Sequence, residues 1–178
     1  MKSVLSVLLL CFLLASCGEE KTVRERAEAG DAEAQSNLGA MYYTGNGVPK
    51  DYVEAVKWTR KAAEQGDAEA QATLGIMYQT GEGVPQDYAE AVKWYRRSAE
   101  QGRAKSLGSL GAMYYTGNGV QQDDAKAYMF FNLAAAKGVE DTEKYREQIA
   151  EKMTQEQIAE GQKLTREWLE RKAKEKGE

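Results

Sequence analysis

Few side chains in this 178-residue chain could do covalent or acid–base chemistry, and their types and spacing narrow what that chemistry can be. The thiols are Cys11 and Cys17, histidine is absent, and carboxylates stand side by side in pairs such as Glu19-Glu20 and Asp123-Asp124. Without histidine the commonest general base, the commonest zinc ligand and every Ser-His-Asp arrangement are missing. No serine stands three residues before a lysine, so a Ser-x-x-Lys nucleophile is missing too. Carboxylate pairs can hold metals or move protons. Here Glu19-Glu20 falls on a short tether and Asp123-Asp124 at a helix start, where solvated charge and capping account for them. The expectation is a non-enzyme with no catalytic residue, metal or cofactor.

Cys17 is the exception. Met1-Lys2-Ser3 is a short basic start, and Val4 to Leu14 is an apolar run of signal-peptide length, too short to span a bilayer as a mature helix. Leu14-Ala15-Ser16-Cys17 closes it and resembles the bacterial lipobox, in which the thiol receives diacylglycerol and the preceding peptide is removed. On that reading 1–17 is a lipoprotein signal peptide, Cys17 is the lipidation site, and the mature chain has neither free thiol nor disulfide. The alternative is an ordinary signal peptide in which Cys17 is incidental. The expected location is the bacterial cell envelope, lipid-anchored at a membrane. In a Gram-negative host with enteric-style sorting, Gly18 rather than Asp after the cysteine points to the outer membrane, facing the periplasm. Lys2 leaves with the leader, so 23 Lys and Arg face 28 Asp and Glu, a net charge of −5. That balance offers no footprint for nucleic acid.

The elements behind these residues follow from a repeat. Gly30, Gly66, Gly102 and Gly138 are each 36 residues apart. In that frame Leu38, Leu74 and Leu110 coincide, as do Gly39/Gly75/Gly111, Tyr42/Tyr78/Tyr114 and Trp58/Trp94/Phe130. The organisation read from it is a tether and N-terminal cap at 18–30, repeats at 31–66, 67–102 and 103–138, and C-terminal capping helices at 139–178.

Each repeat reads as two helices. Asp31 caps the first over Ala32 to Tyr43, with Ala34, Leu38 and Tyr42 on one buried face. Thr44-Gly45-Asn46-Gly47-Val48-Pro49 breaks it. Asp51 starts the second, with Glu54 in capping-box spacing, and Gly66 ends it. Lys57, Arg60 and Glu64 read as its solvated face. The third repeat drifts, and its Tyr128-Met129-Phe130-Phe131 calls for cover from the C-terminal segment. There Asp141 to Met153 suggests one helix and Thr154-Gln155-Glu156-Gln157 opens another. Ile158, Leu164, Trp168 and Leu169 form the apolar stripe of that last helix, and Lys172 to Glu178 should fray.

L-G-x-x-Y, then G-x-G-V, then Asp, A-x-x-W and A-A-E-Q-G at this period resemble the Sel1-like repeat, a relative of the tetratricopeptide repeat, over about residues 27–138. The resemblance implies an all-α fold: a right-handed superhelical solenoid of helix-turn-helix repeats with a C-terminal capping helix pair. It also implies an adaptor or scaffold that binds a protein or peptide through the concave face. First-helix positions would line that face: Glu33, Ser36, Ala40, Tyr43 and Thr44, then Glu69, Ala72, Ile76, Gln79 and Thr80, then Lys105, Gly108, Ala112, Tyr115 and Thr116. Tyr43 and Tyr115 are the strongest candidates, because a tyrosine offers apolar area and a hydroxyl at small entropic loss. The competing reading packs both against the next repeat, and Glu33 and Glu69 also read as first-turn carboxylates that suit a helix N-terminus. Two other functions compete with this one. One is a structural envelope protein that binds peptidoglycan. The other is a β-lactam hydrolase, associated with cysteine-rich relatives whose paired cysteines this chain lacks.

Overall fold

The computed structural model describes residues 22–177, so Cys17 and the whole leader lie outside the described residues. Those residues form helices and connecting turns, without a strand among them. The chain is an all-α repeat protein whose helices divide between two compact units, one ending at Gln86 and the other beginning at Asp87. No helix among the described residues is long and apolar enough to cross a membrane.

The first unit holds α1 (22–28), α2 (Ala32–Thr44), α3 (Tyr52–Glu64) and α4 (Ala68–Thr80). Asp31 and Asp67 cap α2 and α4 by accepting from the amides of Ala34 and Ala70, and Asp51 caps α3 through Val53 and Glu54. The reciprocal half of the expected capping box is replaced. The Asp51 amide donates to the Tyr42 carbonyl, while the Glu54 carboxylate accepts from Lys57 and from the Trp58 indole at 3.2 Å. Trp58 joins Ala27, Ala34 and Leu38 in a core flanked by Val23, Met41 and Tyr42.

Gly39 lets α2 and α3 meet, since a Cβ there would fall on the Thr59 hydroxyl and stand 3.0 Å from the Thr59 amide. The Thr59 hydroxyl is buried and has no hydrogen-bond partner among the described residues. The α1–α2 junction is held by a buried amide, Gln35 Nε2, donating to the Ala27 carbonyl at 3.0 Å, and Gln65 bonds Gln35 in turn at 2.7 Å.

Arg60 corrects a sequence expectation. Its guanidinium is half-buried, donates to the Tyr78 hydroxyl at 2.7 Å and lies 5.6 Å from that ring's centroid. Arg24 does the same to Tyr42 at 2.8 Å, and in the second unit Arg96 to Tyr114 at 2.9 Å. The partner is 18 residues ahead in every case, so a side chain that a single helix leaves in solvent is covered by the helix after it.

The second unit holds α5 (Tyr88–Glu100), α6 (Ala104–Thr116), α7 (Asp124–Ala135), α8 (Thr142–Ala150) and α9 (Gln155–Lys176). Gly111 repeats the close approach of Gly39, with a Cβ there meeting the Phe131 ring at 2.8 Å. The C-terminal helices cover the apolar third repeat. Phe130 lies between Tyr114, stacked at 5.5 Å, and Trp168, edge-on at 5.7 Å, while Tyr145 meets Phe131 at 5.6 Å.

Helix α9 opens with the Thr154–Gln157 capping box, but its seam differs from the expected stripe. Leu169 is 55% exposed, and Gly161 and Thr165 take the buried positions. Gly161 is needed because a Cβ there would stand 2.8 Å from the Tyr128 ring and 3.0 Å from the Ala125 carbonyl. Nor does the helix stop at Lys172. Arg171 and Lys172 both pair with Glu100 of α5, at 2.9 and 2.7 Å, which carries helical order on to Lys176.

Candidate partner-binding groove

The expected first-helix positions meet different fates in the two units. In the first, Ser36 is half-buried and donates to Asp67 at 3.4 Å, tying α2 to the capping residue of α4. Tyr43 is half-buried as well: its ring packs edge-on to Tyr52 at 5.3 Å and its hydroxyl donates to Glu82 at 2.7 Å. That bond to a carboxylate pushes the Tyr43 phenol up to about 12. Glu82, which also accepts from Tyr52 and from Thr80, is held below the usual carboxylate range, first by Tyr43.

Tyr43 and Thr80 are thus brought together through a loop residue that the sequence reading passed over, and the Tyr43 hydroxyl is engaged within the fold. Thr44 and Thr80 turn their hydroxyls back to the carbonyls of Ala40 and Ile76. Ile76 is 42% exposed, whereas Ala72 is buried at 9% and is no lining residue. Gln79 is half-buried, and its carbonyl accepts from Gln86 at 2.8 Å.

In the second unit the expected residues converge. Lys105, Gly108, Ala112, Tyr115 and Thr116 run along one face of α6 and line a groove of about 600 Å³. Its opposite wall is Phe131 from α7, Val139 before α8, and Thr142, Tyr145 and Gln148 from α8. The sequence reading missed that wall. Its signal was the irregular segment after Gly138, where Asp141 adopts φ 61, a left-handed turn that starts α8 without a side-chain cap. Gly108 forms the floor, and a Cβ there would meet Thr142 at 3.4 Å and Val139 at 3.8 Å, ordinary contact distances.

Tyr115 closes one end. Its hydroxyl accepts from Lys152 at 2.9 Å, and that hydrogen bond holds the Lys152 ammonium above its ordinary value. Lys105 stands exposed at the other end, in the first turn of α6. The groove is apolar along its length and offers aromatic edges at Tyr115 and Tyr145 with amide and hydroxyl groups between them. Such a lining suits an extended or helical peptide, with side chains entering a shallow trough and polar groups fixing register. No set of three or more acidic or thiol side chains among the described residues is placed to hold a metal ion.

Residues 32–67, 68–102 and 104–139 each match the sequence profile of the Sel1 repeat. No curated protein matches the chain. Among solved structures, c5321, a protective antigen present in uropathogenic Escherichia coli strains displaying an SLR fold, is 45% identical with a TM-score of 0.67, over 69% of this chain and 26% of its own. A Sel1 repeat protein from Oxalobacter formigenes is 40% identical with a TM-score of 0.68, over 71% of this chain and 52% of its own. The chain therefore spans a minor part of the first and about half of the second. Cysteine rich protein B of Helicobacter pylori is 22% identical with a TM-score of 0.55, over 69% of this chain and 93% of its own, a likeness of fold alone.

Proposed function

The chain belongs to the Sel1 repeat family, whose members are generally non-catalytic protein-interaction scaffolds, and on that premise we propose that it binds a protein or peptide in the α6–α8 groove while anchored in a bacterial envelope by lipid on Cys17. The observation that carries the binding reading is the convergence of Lys105, Gly108, Ala112, Tyr115 and Thr116 on a single trough with an aromatic far wall. The anchor is supported by Leu14-Ala15-Ser16-Cys17 behind its apolar run. Gly18 to Lys21 would then be a tether of about 14 Å when extended, so the groove would work close to the membrane surface. Stable attachment takes more than one acyl chain, since a single chain binds only marginally.

The test of function is capture from an envelope extract with the chain from Gly18 onward, beside an Ala112→Arg variant that fills the groove from an exposed helical position. A protein retained by the first, lost by the second and abolished by protease treatment of the extract supports the scaffold. Peptidoglycan is the second candidate, because Tyr115 and Tyr145 could stack on sugars. Retained material that survives protease and is lost with Ala112→Arg would favour it. For the anchor, Cys17→Ser should move the protein from the membrane to the soluble envelope fraction. Continued membrane retention would contradict lipidation.

A further inference from the structure

Three departures from the repeat gather at the α6 side of the groove, and each runs against helix stability. At the capping position Asp31 and Asp67 become Arg103, so α6 alone among α2, α4 and α6 starts without a side-chain cap. In the first turn Glu33 and Glu69 become Lys105, placing a cation at the positive end of the helix dipole. At the inward position Ser36 and Ala72 become Gly108, a helix-interior glycine although an alanine Cβ would make only ordinary contacts there.

Together these changes weaken α6, which loses a capping carboxylate and carries a glycine in its interior. No packing need accounts for Lys105 or Gly108. What they do is deepen the groove at Gly108 and make one end basic at Lys105, while Lys152 stands beside Tyr115 at the other. No carboxylate lines it, in a chain of net charge −4. Of the α8 acids, Glu143 and Glu147 are turned to Arg146, while Asp124 and Glu151 act on Lys152 from outside the groove lining.

We propose that the α6–α8 groove receives an acidic peptide: a short apolar segment with Asp or Glu toward its ends, one against Lys105 and one against Lys152. This rests on the protein-binding reading above and names the chemistry of its partner. The ten steps from Lys105 to Tyr115 correspond to about 15 Å of helix, the span of four or five extended residues. Lys105 makes no ion pair among the described residues and is exposed. Lys152 holds its place through the Tyr115 hydroxyl, which leaves its remaining donors to point outward.

The probes are fluorescein-labelled hexapeptides with a fixed Leu-Phe centre and Asp/Glu, Asn/Gln or Lys/Arg at the flanking positions, read by fluorescence anisotropy at low and physiological salt. On the full chain from Gly18 onward, the acidic set should bind about tenfold more tightly than the amide set at low salt, and lose most of that margin as salt rises. Lys105→Glu should reverse the ranking of the acidic and basic sets, and Gly108→Ala should weaken all sets while raising the melting temperature. If the amide set binds as well as the acidic set and Ala112→Arg abolishes both, the groove stands and the acidic assignment is overturned. If no set binds beyond the Ala112→Arg background, or soluble peptidoglycan fragments alone bind, both the assignment and the peptide reading fail.

Discussion

Arg60 and Tyr78 are joined across successive helix pairs by a hydrogen bond of 2.7 Å, with the guanidinium beside the ring it bonds. The same pairing joins Arg24 to Tyr42 and Arg96 to Tyr114. It adds a directional link of fixed register to the apolar contact between one helix pair and the next.

Tyr78→Phe keeps the ring and removes the hydroxyl, and should lower stability by about 1 kcal/mol, the usual net value for such a bond. Arg60→Ala should lower it by a similar amount or more. Their double variant should lose less than the sum of the two in urea unfolding, since the second change removes a partner already absent. Simple additivity would mean the contact is geometric only.

Thr59 holds its hydroxyl buried and unbonded against Gly39. Thr59→Val is isosteric and removes the unsatisfied polar atom, so it should be neutral or raise stability by about 1 kcal/mol. Gly39→Ala should lower it by about 1–3 kcal/mol through overpacking. Thermal melts of both distinguish a packed seam from a loose one; a destabilised Thr59→Val would mean the hydroxyl has found a partner.

Arg103→Asp restores the capping carboxylate that α2 and α4 possess and should raise stability by about 1 kcal/mol. Under the acidic-peptide assignment the same substitution should weaken peptide binding. A rise in melting temperature with unchanged affinity would separate the cap from the groove.

Glu100 links α5 to α9. Burial by itself would raise its carboxyl, but the hydrogen bonds and charges of Arg171 and Lys172 hold it below its ordinary 4.5. A lowered folded value means the unfolded chain binds more protons, so this contribution is fully present above about pH 4.5 and is lost as pH falls through the folded value. Glu100→Gln should therefore lower stability at pH 7, by no more than about 1 kcal/mol for so exposed a cluster. The difference from the unsubstituted protein should shrink on acidification. A constant difference from pH 7 to pH 3 would show that the charge is immaterial.

The helix pairs were legible because their signals are local. Asp31 and Asp51 precede apolar periodicity, and Gly45 with Gly66 close the helices where left-handed backbone is needed. Arg60 was misread for the opposite reason. On its own helix it faces out, and its partner is 18 residues away, in an offset that half-crosses the repeat and has no short-range signature. Glu82 was overlooked because loop residues carry no periodicity, yet it decides that the Tyr43 hydroxyl is engaged inside the fold. The α6 face of the groove was readable from the repeat frame, whereas Tyr145 and Lys152 belong to a segment that has left that frame.

The most direct test of the central claim is hydrogen exchange of the chain from Gly18 onward, with and without the protein it captures, read by mass spectrometry. A partner held in the groove should slow exchange in segments spanning Lys105 to Thr116 and Val139 to Gln148, with little change in α3. Protection concentrated in α3 or α5, with the α6 and α8 segments unchanged, would contradict it.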